Sequence, residues 1–179
     1  MAIQTRKITA SEFLKLPVSN LPHELLNGEE IMSPAPSIEH QETSARIFQL
    51  LIRLIPNGKV LYAPLDLYFD ESNVVQPDIM WIAAGSACVP FEGKYFKGAP
   101  DLIVEILSPG TGLRDRKDKF RLYEKYGVRE YWMADSGEKL LEIWQLRDGQ
   151  FALVDVFGPD DKCHSPLLGE IDMKAVFQE

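Results

Sequence analysis

An acidic residue interrupts a strongly apolar run of the chain, and it limits what that run can become. Residues 99–109 read APDLIVEILSP, in which Glu105 stands among leucine, isoleucine and valine. Such a run is typical of a strand that is buried on both faces, at the centre of a sheet with helices across it. A buried carboxylate costs several kcal/mol unless a cation pairs with it. The rest of the chain must therefore supply a basic side chain or a metal ion for Glu105.

The charge of the chain is unevenly distributed. The formal net charge is −8, which argues against nonspecific binding of nucleic acid because phosphate groups attract positive surface. Residues 114–129, RDRKDKFRLYEKYGVR, hold seven lysines and arginines against three acidic residues, a local balance of +4. An acidic body with one basic helix predicts a localised site for an anion, although such a helix can also serve solubility alone.

The composition also predicts where the protein works. No apolar run approaches the roughly 20 residues of a membrane helix, and the start MAIQTRKITASEFLKLP lacks the apolar stretch of a signal peptide. Cys88 and Cys163 lie far apart, and neither belongs to a CxxC pair. These features predict a reduced, cytoplasmic protein without a membrane span or a disulfide framework. Cys163 and His164 are adjacent, but without other ligands they make a poor tetrahedral zinc site.

Periodicity and turn signals predict the order of the elements. Helical spacing predicts helices over residues 38–55 and 114–126, the first capped by Ser37 and the second closed by Gly127. The predicted strands are KVLYAPLDLYF, VVQPDIMWIA, DLIVEILS and EYWMAD, followed by a hairpin of KLLEIWQL and QFALVDVF. Helix, three strands, helix, strand and hairpin together predict an α/β or α+β domain with a mixed sheet.

Two Pro-Asp pairs offer a second carboxylate, Asp78 and Asp101, and geometry distinguishes them. Asp101 lies four residues before Glu105 on the same strand, roughly 13 Å away at about 3.3 Å per residue. The oxygen ligands of Mg²⁺ lie about 2.1 Å from the ion, so this separation is too long to bridge comfortably. Asp78 lies in the preceding strand, and neighbouring strands are about 4.8 Å apart. We therefore expect Asp78 to be the partner of Glu105, with an ordinary strand-edge aspartate as the alternative.

Lys119 lies on the apolar face of the basic helix. At about 100° per residue, the residues nearest its direction are Leu122, Tyr123 and Tyr126. A lysine there projects toward whatever the helix covers, although it could instead pair with Asp115 or extend its stem to water. Two inward carboxylates and an inward lysine suit a Mg²⁺ site, at which a bound water becomes more acidic and charge at phosphorus is stabilised.

Four ordered segments resemble one known family. HELLNGEEIMSPAPSIEHQ, VVQPDIMWI, GAPDLIVEILSP and RDRKDKFRLYEKYGVREYWMAD are similar to the Uma2 family, the DUF820 group of endonucleases, over about residues 22–136. That family belongs to the PD-(D/E)XK nuclease superfamily. The resemblance implies a restriction-endonuclease-like core, which is a central mixed β-sheet flanked by helices. It gives one domain over residues 1–179, with its core at about 22–136 and a C-terminal hairpin extension at about 137–179.

The resemblance also implies an activity and its residues. It implies hydrolysis of phosphodiester bonds in DNA, with Mg²⁺ or Mn²⁺ as the cofactor and DNA as the partner. Position by position, Asp78 matches the aspartate of the PD motif and Glu105 the acidic residue of the third strand; with the backbone carbonyl of Ile106 they would hold the ion. The usual lysine two positions after the acid is replaced by Leu107. Lys119 in the following helix matches that lysine and would position the hydroxide.

Further residues are candidates for contacts around this site. Glu24 matches an N-terminal acidic position that in many such nucleases touches a second metal or a water, the alternative being an exposed glutamate before a turn. Arg114, Arg116 and Lys117 are candidate phosphate contacts. His40 lies on the inward face of its helix, which favours a partly buried histidine with satisfied hydrogen bonds over a metal ligand.

Two other functions remain open. A nuclease fold without the chemistry would be a binding module for nucleic acid or protein, which the net charge of −8 and Leu107 favour. A glycosidase would need a second carboxylate roughly 5–9 Å from Glu105 and a cleft rich in aromatic residues, and it leaves Lys119 without a role. In each case the hairpin could leave an apolar face that a homodimer would cover.

Overall fold

The computed structural model describes residues 7–110 and 112–177. The helices are α1 (Ala10–Phe13), α2 (Ile38–Leu54), α3 (Gly112–Arg114), α4 (Phe120–Tyr126) and α5 (Met173–Phe177), and a π-helical turn (Asp115–Lys119) joins α3 to α4. The strands are β1 (His23–Leu26), β2 (Glu29–Met32), β3 (Lys59–Tyr62), β4 (Leu67–Asp70), β5 (Asn73–Val75), β6 (Ile79–Ile82), β7 (Val89–Phe91), β8 (Tyr95–Lys97), β9 (Leu102–Leu107), β10 (Glu130–Asp135), β11 (Leu140–Arg147), β12 (Gln150–Phe157), β13 (Cys163–Ser165) and β14 (Gly169–Ile171).

A central sheet of six strands has the order β12-β11-β10-β9-β6-β3. It is mixed, because β9 and β10 are parallel while the other pairs are antiparallel. Along the chain, this sheet and its helices read α2, β3, β6, β9, the segment from α3 to α4, β10 and the hairpin β11–β12. The predicted order of helix, three strands, helix, strand and hairpin is therefore confirmed, as is the mixed α+β class.

Both faces of the central sheet are covered. Leu51 of α2 shares one buried cluster with Trp132 of β10, and α5 contributes to the same cluster. Tyr123 of α4 shares a second cluster with Met133 on the other face, where the second sheet described below also packs. Every residue of β9 is buried in consequence, Glu105 included. This confirms the prediction that the apolar run forms a strand with both faces covered.

A second sheet, in the order β2-β1-β5-β4-β8-β7, is not among the predicted features. It forms because two predicted strands are each divided between the sheets. KVLYAPLDLYF becomes β3 in the central sheet and β4 in the second, and VVQPDIMWIA becomes β5 in the second and β6 in the central sheet. The breaks contain Pro64 and Pro77, which lack the N–H that a ladder requires. The chain thus crosses between the sheets at residues 76–78, and Asp78 lies at their junction.

The basic helix differs from the regular helix predicted over residues 114–126. It begins at Gly112, and the N–H of Phe120 donates to the carbonyl of Asp115 across the π-helical turn. The hydroxyl of Tyr131 donates to the same carbonyl at 3.2 Å. Wide turns of this kind often occur at functional sites, and both end residues of this one are buried.

The C-terminal part contains the predicted hairpin and, beyond it, the unpredicted elements β13, β14 and α5. Leu141, Ile143 and Phe157 of the hairpin are buried against the cluster of α2, whereas Leu153 and Val156 are exposed. Much of the apolar hairpin surface is therefore covered within the chain. The homodimer stays a prediction.

Both cysteines, Cys88 and Cys163, are free and buried thiols, which agrees with the prediction of no disulfide framework. Among residues 7–110 and 112–177, no helix is both long and apolar enough to cross a membrane.

Candidate active site

Asp78 and Glu105 lie at facing positions of two adjacent strands. In the antiparallel pair of β6 and β9, Ile79 is opposite Val104. One further step in this register places Asp78 opposite Glu105, and side chains at directly opposed positions extend from the same face. The two strands are neighbours, as the predicted pairing of these acids requires.

Asp101 is engaged at the other end of β9. Its Oδ2 accepts a hydrogen bond from the N–H of Ala83 at 2.8 Å, and its Oδ1 accepts one from Arg129 at 3.0 Å. Burial alone would raise the pKa of Asp101, but these hydrogen bonds hold the pKa below its ordinary value. Asp101 thus links β9 to the residues that follow β6 and precede β10. Asp78, which immediately precedes β6, is the Pro-Asp carboxylate opposite Glu105.

The ammonium of Lys119 is the centre of a buried charge network. Its Nζ lies 2.8 Å from Oε1 of Glu24, 3.0 Å from Oε1 of Glu105 and 3.6 Å from Oδ1 of Asp115. All four side chains are at most 5% exposed. A lysine ammonium carries three N–H donors, so three carboxylates surround three donors. The predicted contact with Glu105 and the alternative pairing with Asp115 therefore exist together.

Burial and mutual charge set the protonation of this network. Burial alone would lower the pKa of Lys119, but the carboxylates of Glu105, Glu24 and Asp115 raise this pKa well above its ordinary value. Burial raises the pKa of Glu105 well above its ordinary value; Lys119 opposes the rise, and Asp115, Asp78 and Glu24 add to it. Lys119 therefore remains a cation that donates hydrogen bonds and does not accept protons.

Glu24 is buried at the site, with 4% of its surface exposed. It lies in β1 of the second sheet, and its Oε1 accepts a hydrogen bond from the N–H of Gln76 at 2.8 Å. Its Oε2 lies 3.2 Å from Nη1 of Arg114. The alternative of an exposed glutamate before a turn is therefore wrong. The second sheet brings Glu24 to the same junction as Asp78.

His40 faces Asp78 from the first turn of α2. The N–H of His40 donates to the hydroxyl of Ser37 at 3.2 Å, which confirms Ser37 as the N-cap of this helix. Nε2 of His40 lies 3.3 Å from Oδ2 of Asp78. Burial lowers the pKa of His40, but Asp78, with smaller contributions from Asp115 and the backbone of Ile106, raises this pKa overall.

The hydrogen bonds of His40 are incomplete, contrary to the prediction of a satisfied histidine. Its Nδ1 is buried and has no hydrogen-bond partner among the residues that the structure describes. An imidazole nitrogen in that position is unusual, since buried polar atoms are generally paired. The prediction of satisfied hydrogen bonds is therefore wrong for this atom.

The network opens into a cleft of about 820 Å³. Glu24, Asp78, Glu105 and Lys119 all line it, so the two predicted acids and the predicted amine share one cavity. Its remaining walls include residues 16–22, 33–37 and 62–66. These segments connect or flank the strands of both sheets, and the cleft therefore lies where the sheets meet.

The three predicted phosphate contacts lie in different surroundings. Arg114 lines the cleft, and its Nη1 donates to the hydroxyl of Ser33 at 3.1 Å. Arg116 forms an ion pair with Glu142 of β11, and Lys117 is exposed. Neither Arg116 nor Lys117 is among the described residues that line the cleft. Of the three, the structure brings Arg114 to the acids.

The donors at the floor of the cleft suit a hard divalent cation. The carboxylates of Asp78 and Glu105 and the carbonyl of Ile106 are oxygen ligands of the kind that Mg²⁺ and Mn²⁺ prefer. The N–H of Ile106 donates to Oδ2 of Asp78 at 2.7 Å, which fixes this carboxylate beside the Ile106 peptide. The contacts described above involve Oδ2 of Asp78 and Oε1 of Glu105. None of them involves the second oxygen of either carboxylate, and that oxygen could bind a cation.

The formal charge of the site also favours a cation. Glu24, Asp78, Glu105 and Asp115 oppose Lys119 and Arg114, four carboxylates against two cations, a balance of −2 with His40 neutral. No group of three or more histidine, cysteine, aspartate and glutamate side chains in the described part of the chain has metal-binding geometry. An ion here would therefore depend on two carboxylates, a carbonyl and oxygens of water or phosphate, as Mg²⁺ commonly does.

Tyr123 makes a contact with Glu105 that the sequence does not reveal. Its hydroxyl donates to Oε1 of Glu105 at 2.6 Å, whereas helical periodicity indicates only that it shares a face with Lys119. The spacing of four residues between the two was the available signal, because residues at i and i+4 lie on one helix face. Leu107, at the position where the resemblance leads us to expect a lysine, is buried in the cluster beneath α4.

A mixed sheet with this order of helices and strands, and with acids at the ends of adjacent strands, defines the restriction-endonuclease-like class of folds. The sequence profile of the Uma2 family, described as "Putative restriction endonuclease", matches residues 10–175. The chain belongs to the Uma2 family.

Two relatives extend the comparison. The uncharacterized protein slr1290 of Synechocystis sp. (strain ATCC 27184 / PCC 6803 / Kazusa) is 26% identical over 153 residues, which cover 82% of this chain and 78% of that protein. A crystal structure described as a putative nuclease belonging to DUF820, from Anabaena variabilis ATCC 29413, superimposes with a TM-score of 0.78. That match covers 95% of this chain and 97% of the other at 23% identity, and it establishes the fold.

Proposed function

We propose that the protein is a metal-dependent DNA endonuclease that hydrolyses phosphodiester bonds. One observation carries the proposal: Asp78 and Glu105 occupy facing positions on neighbouring strands, and Nζ of Lys119 lies 3.0 Å from Glu105 in a shared cleft. Membership in a family described as restriction endonucleases supports it.

In hydrolysis, the oxygen of a water bonds to phosphorus while the bond to the leaving oxygen breaks and that oxygen takes up a proton. Asp78, Glu105 and the carbonyl of Ile106 would hold Mg²⁺ or Mn²⁺. When bound, the ion supplies a more acidic water and offsets negative charge at phosphorus. Lys119, as a permanent cation, would orient the hydroxide by donating a hydrogen bond and would stabilise the charged phosphoryl oxygens.

The other members of the network act on these groups as positioning residues. Glu24 holds the ammonium of Lys119 and the guanidinium of Arg114 through its two oxygens. Tyr123 fixes one oxygen of Glu105 and thereby the orientation of that carboxylate. Because Arg114 is held at the cleft, it is also the strongest candidate for a phosphate contact among the basic residues of its helix.

A cleavage assay on supercoiled plasmid and on single-stranded DNA tests the proposal. We expect cleavage with Mg²⁺ or Mn²⁺ and none with a chelator, and we expect Asp78→Asn to abolish it. The matched control is Asp160→Asn, because that carboxylate is 88% exposed and lies outside the cleft lining. Activity that survives in Asp78→Asn would come from a contaminant or from another site, and either result would contradict the assignment.

A binding module without catalysis is the second candidate. Three carboxylates already surround the donors of Lys119, and the strand position of the usual lysine is occupied by Leu107. Both features suit a nuclease fold that retains a ligand site and has lost the reaction. Folded protein that binds oligonucleotides but cleaves neither supercoiled plasmid nor single-stranded DNA in the presence of metal would favour this candidate.

Location and assembly belong to the same proposal. The buried free thiols of Cys88 and Cys163 suit the reducing cytoplasm. The exposed Leu153 and Val156 on the hairpin would be covered in a homodimer. Light scattering of the purified protein measures the dimer directly, and a monomer at all concentrations would exclude it.

A further inference from the structure

An exposed aromatic ring lines the same cleft as the acids. Tyr62, the last residue of β3, is opposite Ile79 in the pair of β3 and β6, and the next N–H, of Ala63, donates to the carbonyl of Asp78 at 3.0 Å. The side chain lines the cleft and is 61% exposed. Phe48 of α2 contacts it edge to face, with ring centroids 4.8 Å apart. Tyr62 is therefore a supported ring with an open surface rather than a core residue.

Apolar surface continues around this ring. Several exposed or partly exposed apolar residues line the same cleft, namely Leu16, Val18, Leu21, Pro34, Pro36 and Pro64. Scattered exposed apolar residues need no explanation, but several that line one cleft together with a few polar groups are typical of a binding site. The floor here is the acid and lysine network.

The charged lining argues against a duplex backbone as the main contact. Among the described residues that line the cleft, five carboxylates oppose three cations, a formal balance of −2 with both histidines neutral; the members are Glu24, Asp66, Asp78, Glu105 and Asp115 against Lys94, Arg114 and Lys119. A divalent cation would bring that balance to zero and leave no positive surplus. Duplex binding depends on the neutralisation of several phosphates. A single strand also carries phosphates, but stacking of its bases on aromatic side chains adds affinity that does not itself require positive charge.

The size of the cleft also favours unpaired nucleotides over a duplex. Pockets of about 300–1,000 Å³ enclose small organic ligands, and this cleft of about 820 Å³ suits one or two nucleotides rather than a double helix. We propose that the substrate is DNA with unpaired nucleotides, a single strand or a flap, and that a base next to the reacting phosphate stacks on Tyr62. This inference rests on the proposed nuclease function and specifies its substrate.

The test compares unpaired with paired DNA. A short phosphorothioate oligonucleotide that carries 2-aminopurine is titrated with the full-length protein in Mg²⁺, as a single strand and as a matched duplex. We expect tighter binding of the single strand and quenching of the fluorescent base. Tyr62→Ala should weaken single-strand binding by roughly 5- to 150-fold, the factor that the loss of one stacked base produces. Tyr62→Phe keeps the ring and should restore the affinity.

Ile52→Ala is the matched control, since this residue is exposed on α2 and lies outside the cleft lining. Equal affinity for both forms, or full affinity in Tyr62→Ala, would overturn the inference, as would displacement of the strand by an apolar peptide. If Tyr62→Ala also nicks duplex plasmid at the normal rate, the substrate inference fails while the nuclease proposal stands. If Tyr62-dependent binding occurs and no DNA is cleaved, the nuclease proposal fails while the occupant of the cleft is confirmed.

Discussion

Replacement of Lys119 by methionine tests whether the buried network is held together by its single ammonium. Methionine retains most of the volume of lysine but removes the charge, so Glu24, Glu105 and Asp115 lose the cation that lies within 3.6 Å of each. Removal of one partner from a buried ion pair costs about 3–5 kcal/mol, because the remaining charge is buried without compensation. In a protein of this size that corresponds to a loss of about 6–20 °C in Tm.

The destabilisation caused by Lys119→Met should depend on pH in a defined direction. The pKa of Glu105 is already raised by burial and by its acidic neighbours, and replacement of Lys119 removes a positive charge that lowers this pKa. An acid whose pKa is higher in the folded state binds more protons there, so stability falls as pH rises through the window between the unfolded and folded pKa. The destabilisation by Lys119→Met should therefore be largest at neutral pH and should shrink in acid.

Urea denaturation of metal-free protein measures both effects. Lys117→Met is the control, because Lys117 is exposed on the same helical segment. A double-mutant cycle with Glu105→Gln should return a coupling of about 1–3 kcal/mol, as expected for residues in direct contact. Equal urea midpoints for Lys119→Met and Lys117→Met, or a Lys119→Met effect that is unchanged in the Glu105→Gln background, would refute the reasoning.

Three further predictions concern the same site and its frame. Mg²⁺ should stabilise the native protein by about 2.7 kcal/mol at 100 times its dissociation constant, and a similar gain in Asp78→Asn would contradict the proposed ligand set. Tyr123→Phe should cost about 1–2 kcal/mol in urea denaturation, since a buried hydrogen bond to Glu105 is lost; an unchanged midpoint would show that the bond contributes nothing. The pKa of Asp101 is lowered in the folded state, so its ionised form contributes stability above the unfolded pKa, and this stability is lost as pH falls through the folded pKa. Asp101→Asn should therefore lose less stability on acidification than the parent protein. An equal loss of stability in acid for both proteins would contradict the prediction.

The central sheet could be predicted because its signals are local. The all-apolar pattern of β9 requires two covered faces, and the helices that cover it have clear periodicity and caps. The pairing of Asp78 with Glu105 follows from one further condition, that the two strands be neighbours. Lys119 could be placed because a helical face depends only on the phase of the residues around it.

The second sheet could not be predicted, because its strands are short and the two pairs that join its hairpins, β1 with β5 and β4 with β8, are remote in sequence. β5 and β7 each have three residues, too few to show a period. Whether a segment such as KVLYAPLDLYF stays in one sheet or crosses to another depends on tertiary packing at Pro64. The burial of Glu24 follows from the same cause, since its contacts are Gln76, Lys119 and Arg114.

The position of Lys119 explains how an ammonium reaches Glu105 although residue 107 is a leucine. Leu107 and Glu105 lie two residues apart on one strand, so a lysine at 107 would extend from the same face as the acid. Lys119 reaches that acid from the helix packed over this face, and the ammonium arrives beside Glu105 although it belongs to another element. For the proposed nuclease function, the physical requirement would be the position of the positive charge, which either the strand or the helix can meet.

The excess of acids in the network has a consequence for function. Four carboxylates and two cations are held at the junction of the sheets, and three of the carboxylates surround one ammonium in nearly complete burial. Uncompensated buried charge lowers stability, and the raised pKa of Glu105 is the sign of that cost. An excess of buried charge that lowers stability is expected at a site that must bind a ligand. A cation that enters the cleft would relieve the repulsion, so the same charges that weaken the metal-free fold would strengthen the binding of the ion.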